Sequence, residues 1–238
     1  MEPVLLVATA AVAMIAIERI APNVDQPRVP GWIARLVALN AVQLGIVYLA
    51  AWSWDRWLPQ WQLVDGSRLP APLGIAIGYL AITFVYYWWH RARHELPLLW
   101  RWLHQVHHSP VRIECAMSFY KHPFEILLNG LLSSTVLYVV IGLPTSAAGI
   151  VVAITGLAEL FYHWNLRTPY WLGFVFQRPE MHRRHHERDW HRSNYSDLPL
   201  WDLLFGTFDN PRGTPSPCGF ADGAERQLPR MLLGRTPR

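Results

Sequence analysis

The chain has 238 residues, of which 52% are hydrophobic and only 16% charged, and its formal net charge is +4. A composition this apolar does not fit a single soluble domain and indicates an integral membrane protein. No nucleic-acid-binding motif accompanies the positive charge, so we interpret it as a surface near anionic lipid headgroups and expect no nucleic-acid partner. Cys115 and Cys218 form no CxxC pair, and we expect reduced cytoplasmic thiols that label from that side of the membrane.

Five apolar runs approach the roughly 20 residues that a helix needs to cross a bilayer. In chain order they are Pro3–Ile17, Ile33–Trp54, Pro72–Trp89, Phe124–Ile141 and Thr145–Tyr162. The first run lacks a basic leader and a clear cleavage site, so we interpret it as a retained helix and not as a signal peptide. Gly142-Leu143-Pro144 separates the last two runs, which are predicted to form a helical hairpin. The predicted fold is an all-α, polytopic membrane bundle of about five transmembrane segments.

Basic residues are concentrated between the third and fourth runs and after the fifth run. They are Arg91, Arg93, Arg101, Arg112 and Lys121 in the first segment, and Arg167, Arg178, Arg183, Arg184, Arg188 and Arg192 in the second. By the positive-inside rule we expect both segments on the cytoplasmic face. The excess of arginine over lysine favours a bacterial cytoplasmic membrane. Both segments also contain histidine motifs, which predicts a cytoplasmic, histidine-rich helical cap on the bundle.

The histidine motifs are the most informative feature of the sequence. Two copies of HxxHH occur, His104-Gln105-Val106-His107-His108 and His182-Arg183-Arg184-His185-His186. On a helix the first, fourth and fifth residues lie near one another, so we expect each copy to aim three imidazoles at one point. His90 and His94 add two imidazoles one helical turn apart. Three short clusters thus contain eight of the eleven histidines.

So many imidazoles at one membrane surface indicate a metal site. Neutral imidazole binds zinc, copper, iron and nickel, and a structural zinc needs only four ligands, so eight ligands imply two metal ions. Two other classes of protein stay open. A histidine-dependent metal transporter would need its ligands near the membrane midplane, and a zinc-dependent membrane hydrolase would need a general base such as that of HExxH, which does not occur in the sequence.

Further motifs accompany the histidines in a fixed order. They are Tyr86-Tyr87-Trp88-Trp89-His90-Arg91, Leu99-Trp100-Arg101, Lys121-His122-Pro123-Phe124-Glu125, Phe161-Tyr162-His163-Trp164-Asn165, Asn194-Tyr195-Ser196-Asp197 and Trp201-Asp202-Leu203-Leu204-Phe205-Gly206-Thr207. With the two HxxHH copies, this pattern resembles the fatty acid hydroxylase, or sterol desaturase, superfamily of integral-membrane di-iron oxygenases. The resemblance covers Tyr79 to about Phe208. The first two apolar runs and the tail add nothing to it. We therefore divide the chain into N-terminal transmembrane helices over 1–71, a catalytic domain over 72–208 and an irregular, proline-rich tail over 209–238, which we expect to be a partly mobile surface extension.

The resemblance also implies which residues bind metal. The expected ligands are His90, His94, His104, His107, His108, His163, His182, His185 and His186. His122 is expected to orient its loop, with metal binding as the alternative. Glu159 is expected to be a ligand, an acceptor for a ligand, or the partner of an arginine. Asp189, Asp197 and Asp202 are candidate acceptors for the free ring N–H of ligating histidines, with arginine pairing as the alternative, and His191 is expected at the surface or beside a ligand.

The resemblance implies an oxidoreductase that contains two iron ions and uses dioxygen as co-substrate. The substrate would be a lipid, either sterol-like, fatty acyl, carotenoid or ether lipid, and the product an alcohol or an alkene. The sequence has no GxGxxG and no CxxC motif. We therefore expect electrons from an external donor, a ferredoxin or cytochrome b5-like carrier with its reductase, bound at the basic cytoplasmic face.

Overall fold

The structure, a computed structural model, describes residues 3–221 and 223–237 and is built from helices. Within these residues the only β-type pairing is an isolated bridge between Glu187 and Cys218. The α-helices are α1 Pro3–Ile20, α2 Trp32–Trp52, α3 Trp54–Trp57, α4 Ala71–Glu95, α5 Pro97–Leu99, α6 Gln105–His108, α7 Pro123–Ser134, α8 Thr145–Tyr162, α9 Pro179–His185, α10 Pro199–Phe205 and α11 Leu228–Met231. Two π-helical segments, Trp100–His104 and Thr135–Val140, precede α6 and extend α7. The predicted all-α fold is confirmed.

Four helical segments are long and apolar enough to cross a membrane. They are Trp32–Trp61, Ala71–Glu95, Pro123–Val140 and Thr145–Tyr162, and each matches one of the predicted runs. The remaining predicted run forms α1 but lies outside this set of four. The number of five crossings therefore stays a prediction.

The predicted hairpin between α7 and α8 turns at Gly142. Its φ is +71°, and a Cβ at this position would lie 1.8 Å from the carbonyl oxygen of Val64. Only glycine tolerates this combination of positive φ and close backbone approach. Pro144 then precedes the first residue of α8, where a missing N–H donor is harmless.

The helix directions bring the histidines to one end of the bundle. α4 and α8 end at this end, whereas α7 begins there, immediately after His122. The interior of the bundle is apolar and includes Ile82 on α4, Leu137 in the extension of α7, and Val151 on α8, all of which are nearly or fully buried. Apolar packing in the spans therefore fixes the positions of the helix ends that carry the histidines.

The C-terminal tail packs against the histidine-bearing helices. Cys218 and Met231 are buried, and both belong to an apolar cluster that also contains Val106 of the first HxxHH copy. Gly219, with φ +71°, donates its N–H to the carbonyl of His186. The expectation of a surface extension is therefore wrong for these residues: the tail is irregular, but Cys218 and Met231 are buried, and Phe220, Leu228 and Leu232 pack partly buried against the same cluster. The division into three regions stays a prediction.

The two cysteines are free thiols with exposures of 0% for Cys115 and 2% for Cys218. Burial raises the pKa of the Cys218 thiol to about 11, so the reactive thiolate is scarce at neutral pH. The expectation that these thiols label from the cytoplasmic side is wrong for the folded chain, because neither is accessible to a reagent.

Candidate metal centre

Nine histidines converge on two adjacent points. The five-histidine group consists of His90, His94, His104, His108 and His185, and the four-histidine group consists of His107, His163, His182 and His186. Within each group one ring nitrogen from every residue lies within 4.8 Å of the others. The two groups touch, because the rings of His108 and His186 stack with their centroids 4.0 Å apart. All nine ligands expected from the sequence are brought together, and within 3–221 and 223–237 no other residue belongs to either group.

Each HxxHH copy is divided between the two groups, contrary to the expectation that it aims all three imidazoles at one point. His104 and His108 join the five-histidine group, whereas His107 joins the four-histidine group. The second copy is divided in the opposite sense, with His185 in the five-histidine group and His182 and His186 in the four-histidine group. Successive helical residues are rotated by about 100°, so the first and fifth residues nearly coincide in direction while the fourth diverges from the fifth. A helix therefore presents two faces, and each copy contributes to both groups.

Several ring nitrogens lie as close together as ligands of one metal ion. His104 Nε2 lies 3.0 Å from His90 Nε2 and 3.2 Å from His108 Nε2. In the other group, the Nε2 atoms of His182 and His186 are 3.0 Å apart. Two nitrogens bound at right angles, each about 2.1 Å from a metal, are about 3.0 Å apart. The spacing therefore fits metal binding by these residues.

The protonation state of the rings also fits metal binding. Burial lowers the pKa of His163 and of His185 to about 3, which makes both rings neutral at pH 7. Neutral imidazole is the form that binds a metal ion. Buried ring nitrogens without a hydrogen-bond partner are His94 Nδ1 and Nε2, His182 Nδ1, His185 Nε2 and His186 Nδ1. A buried nitrogen without a hydrogen-bond partner lowers the stability of the fold. Where such a nitrogen is directed at the centre of a group, a bound metal ion would remove this cost.

Backbone carbonyl groups orient four of the rings through hydrogen bonds with Nδ1. The Nδ1 atoms of His90, His107, His163 and His185 lie 2.6–3.3 Å from the carbonyl oxygens of Tyr195, Tyr120, Glu159 and Ser193, respectively. With Nδ1 as the donor, Nε2 keeps its lone pair for a metal ion. Carbonyl acceptors of this kind leave no signal in the sequence, which is why sequence reasoning missed them.

One carboxylate contacts a ring nitrogen of the candidate ligands. Glu125 Oε1 lies 3.0 Å from His104 Nδ1, and the same carboxylate pairs with the buried guanidinium of Arg93. Glu125 and Arg93 are both nearly or fully buried. Sequence reasoning did not select Glu125, although it ends the quoted Lys121–Glu125 motif and is the one acidic residue there.

The three aspartates that were expected to accept from histidine rings occupy other positions. Asp202 instead accepts hydrogen bonds from the backbone N–H groups of Tyr195 and Ser196 and from the hydroxyl of Thr207. It thereby fixes the loop in which the carbonyl of Tyr195 pairs with Nδ1 of His90. No ring hydrogen bond to Asp189 or Asp197 occurs among the described residues. Asp189 instead lies at a turn of the chain with left-handed backbone conformation, where its φ is +63°. The prediction that these three side chains accept hydrogen bonds from histidine rings is therefore wrong. Asp202 influences the orientation of His90 only indirectly, through the loop at Tyr195.

Glu159 belongs to neither histidine group. Its carboxylate pairs with Lys121, and only its backbone carbonyl contacts His163. Pairing with a cation was one of the expected alternatives, although the cation is a lysine and not an arginine. Glu159 lies one helical turn before His163, as His90 lies one turn before His94.

The two remaining histidines have supporting positions. His122 caps α7 by accepting the N–H of Phe124 at Nδ1, and its Nε2 lies 3.2 Å from the carbonyl of Leu232 in the tail. The expectation that it orients its loop agrees with these contacts. His191 is half-buried, and its Nδ1 lies 3.1 Å from that of His108, which places it beside a candidate ligand.

A polar cavity and an apolar groove lie beneath the four-histidine group. The cavity has a volume of about 210 Å³ and extends through the bundle to Lys121, Glu159, Tyr162 and Asp197. The groove, of about 360 Å³, is lined chiefly by apolar residues of α8 and of 172–176 and shares Tyr162 and Asp197 with the cavity. The ring of Tyr162 lies 4.3 Å from that of His182, centroid to centroid. One aromatic side chain thus lines both spaces and contacts the four-histidine group.

Comparison with known proteins gives three informative relatives. Ornithine lipid hydroxylase OlsE of Rhizobium tropici is 31% identical over 160 residues, which are 65% of this chain and 45% of that protein. Alkylglycerol monooxygenase of Homo sapiens is 28% identical over 137 residues, or 55% of this chain and 29% of that protein. Protein CER1-like 1 of Arabidopsis thaliana is 31% identical over 172 residues, or 64% of this chain and 25% of that protein.

The chain therefore spans less than half the length of each of these relatives. No solved structure matches it. The fatty acid hydroxylase family model matches residues 75–207, which is more than half of the chain. This matched region contains all nine histidines of the two groups, and by this match the chain belongs to the fatty acid hydroxylase family.

Proposed function

We propose that the chain is a membrane di-iron oxygenase that hydroxylates or desaturates a lipid with dioxygen and externally supplied electrons. The observation that carries this proposal is the pair of adjacent all-histidine groups at the ends of apolar helices, next to an apolar groove. The relatives support a lipid substrate, because two of them are named as a lipid hydroxylase and an alkylglycerol monooxygenase. The structure does not choose among sterol-like, fatty acyl, carotenoid and ether lipids.

Iron is the metal that we propose for both groups. Imidazole nitrogen alone would also suit zinc, copper or nickel. Family membership and the monooxygenase name of a relative favour iron. A bound iron pair would supply the activation of dioxygen that an unreactive C–H bond requires. Hydroxylation places one oxygen atom of dioxygen in the C–H bond and releases the other as water, consuming two electrons and two protons.

The protein's part in this reaction is to hold and orient neutral ligands in a site largely closed to water. The carbonyls of Tyr195, Tyr120 and Ser193 fix individual rings, and Glu125 fixes His104. Seven of the nine histidines are buried, and His90 and His94 are half-buried, so bulk water has little access to the groups. Exclusion of water protects the reaction from side products and strengthens the electrostatic interactions within the site.

Electrons would arrive at the surface formed by residues Trp100 and Arg101 together with Arg235 of the tail. Trp100 lies with its ring centroid 5.3 Å from those of both His94 and His108 in the five-histidine group. Arg101 and Arg235 are exposed beside it, and the carbonyls of both accept from Gln105. A basic surface of this kind suits an acidic carrier such as a ferredoxin or a cytochrome b5-like protein with its reductase.

The proposed location is a bacterial cytoplasmic membrane with the histidine groups on the cytoplasmic face. Its test uses exposed positions, since the native cysteines are buried. With Cys115 and Cys218 replaced by alanine, a cysteine at Ser67 should react with an impermeant thiol reagent in intact cells. A cysteine at Thr236 should react only after the membrane is opened. The reverse pattern would place the site on the outer face.

The decisive experiment is oxygen transfer by the purified protein. Iron-loaded protein in lipid nanodiscs, given a reductant, a carrier and ¹⁸O₂, should consume dioxygen and yield a lipid alcohol containing ¹⁸O or an alkene. Metal analysis should give two iron ions per chain with a di-iron Mössbauer signature. Oxygen incorporated from water without dioxygen consumption would favour the zinc hydrolase. Metal movement across a vesicle membrane without lipid oxidation would favour the transporter.

A further inference from the structure

Asp197 lies where the polar cavity meets the apolar groove. It lines both spaces, as does Tyr162. On the cavity side its neighbours are the ion-paired Lys121 and Glu159, whereas on the groove side they are apolar residues such as Leu157 and Phe176. One carboxylate therefore stands at the boundary between a hydrogen-bonding space and a hydrocarbon-like space.

The Asp197 carboxylate has unused capacity to accept hydrogen bonds. Lys121 pairs with Glu159, and the backbone carbonyl of Asp197 accepts the N–H of Gln177. Among the described residues, no side chain donates a hydrogen bond to the Asp197 carboxylate, which accepts its own backbone N–H. Burial, with a further contribution from the Glu159 charge, raises the pKa of Asp197 to about 7. A carboxylate can accept several hydrogen bonds, so this half-buried group, which lines both spaces, keeps room for a donor supplied by a ligand.

The charge of the cavity favours a neutral donor. Lys121 and Glu159 compensate each other's charge, and the raised pKa allows Asp197 to be neutral at physiological pH. An amide N–H or a hydroxyl group would give Asp197 a partner without placing a new charge among the spans.

We propose that Asp197 anchors a lipid through an amide N–H or hydroxyl group, with the hydrocarbon tail in the groove lined by Tyr79, Leu157, Phe161 and Phe176. This inference rests on the proposed oxygenase function. Tyr162 lines Asp197's cavity and contacts the rings of His163 and His182, so the carbons next to the anchored group would be those nearest the metal centre. Oxygen insertion is therefore directed close to the polar group and not far along the tail.

The test compares two probes that differ in one donor. N-methylhexadecanamide has an N–H, whereas methyl hexadecanoate has the same chain and no donor. With iron-loaded protein in nanodiscs, the amide should have a KM about tenfold lower than the ester, as expected for one hydrogen bond. Asp197→Leu should remove this difference by raising the amide KM to that of the ester. Asp197→Asn keeps an acceptor oxygen and should retain most of the preference.

The groove has a matched control. Ala158 lines the groove, and Ala11 lines a separate apolar recess of about 460 Å³ between α1, α2 and α8. Both side chains are half-buried. Ala158→Phe should raise the KM of both probes about tenfold or more by filling space the tail needs. Ala11→Phe should change neither KM, and the opposite result would assign the tail to the other recess and overturn the proposal.

Failure of this inference can be separated from failure of the proposed function. Equilibrium binding of each probe, radiolabelled, to protein with or without metal measures affinity independently of turnover. If no dioxygen is consumed but the amide still binds more tightly through Asp197, the anchor stands and the oxygenase proposal fails. If lipid is oxidised while amide and ester bind equally, or if the hydroxyl appears far along the chain, the anchor is wrong.

Discussion

The two histidine groups use the same kind of ligand but have different surroundings. The five-histidine group contacts the buried Glu125–Arg93 pair and reaches toward the surface at Trp100. The four-histidine group has one ligand fewer and adjoins Tyr162 and the polar cavity. We infer from this difference that the first group is built for retention of its metal and electron entry, and the second for contact with substrate.

The origin of the missing ligand is visible on two helices. His90 and His94 are spaced by one turn on α4 and both face the five-histidine group. On α8 the matching pair is Glu159 and His163, but Glu159 is held away by Lys121. The position on α8 that matches His90 is thus occupied by a carboxylate that lines the cavity and belongs to neither group.

The largest expected effect tests this asymmetry. His107→Ala leaves three histidines in its group, whereas His185→Ala leaves four in the other. Both should reduce turnover by more than about 100-fold, since loss of a group that merely orients a ligand already costs about 10–100-fold. Metal content should fall further in His107→Ala.

The matched control for this pair is His191→Ala, which removes a ring that contacts His108 but belongs to neither group. Most of the metal and turnover should remain. Full metal content and activity in His185→Ala would contradict the assignment of these residues as ligands.

A second prediction concerns Glu125. Glu125→Gln keeps the shape of the side chain but weakens its hold on His104, so activity should fall about 10–100-fold with metal lost first from the five-histidine group. Mössbauer spectra of partially loaded protein would distinguish the two metals. Glu95→Gln breaks an exposed pair with Arg91 and serves as the control. Equal losses in both variants would mean that Glu125 acts only through general stability.

Acid should destabilise the metal-free protein. The folded pKa values of His163 and His185, about 3, lie below the value of about 6.5 for an exposed histidine. The unfolded chain therefore binds more protons between these limits, and stability present above pH 6.5 is lost as the pH falls toward 3. The denaturant concentration at the midpoint of unfolding, measured from pH 8 to pH 4, should decrease as the pH drops below about 6.5. A midpoint independent of pH in this range would show that the rings are not buried as neutral groups.

The smallest expected effect concerns Glu159. Because its carboxylate pairs with Lys121 and lies outside both groups, Glu159→Gln should leave the iron content unchanged. Metal analysis of the purified variant checks this. Loss of one iron ion per chain would restore Glu159 as a ligand and remove the asymmetry described above.

The sequence predicted the ligands better than their arrangement. Periodicity and family motifs selected all nine histidines and the helices that carry them. The split of each HxxHH copy follows from the helical rotation between His107 and His108, but which face meets which group depends on how α6 and α9 approach each other. The carbonyl acceptors at Tyr195 and Ser193 have no side-chain signature, and so only the folded chain shows them.

The tail is the clearest case of what composition conceals. Prolines and the absence of a long apolar run favoured a surface extension. Isolated apolar residues such as Met231 and Cys218 nevertheless fill space against Val106, and short polar contacts join the tail to His122 and His186. Such scattered contacts have no period, so sequence patterns do not reveal them.

This packing of the tail has a consequence for biosynthesis. Residues 218–232 leave the ribosome after every histidine, yet they contact the backbone of His186 and the ring of His122 and pack on the first HxxHH copy. The tail therefore cannot cover the histidine groups while the chain is still being made. If the groups bind metal as proposed, delivery before the tail docks meets less obstruction, and a chain cut before residue 218 would keep all nine histidines but leave them without this cover.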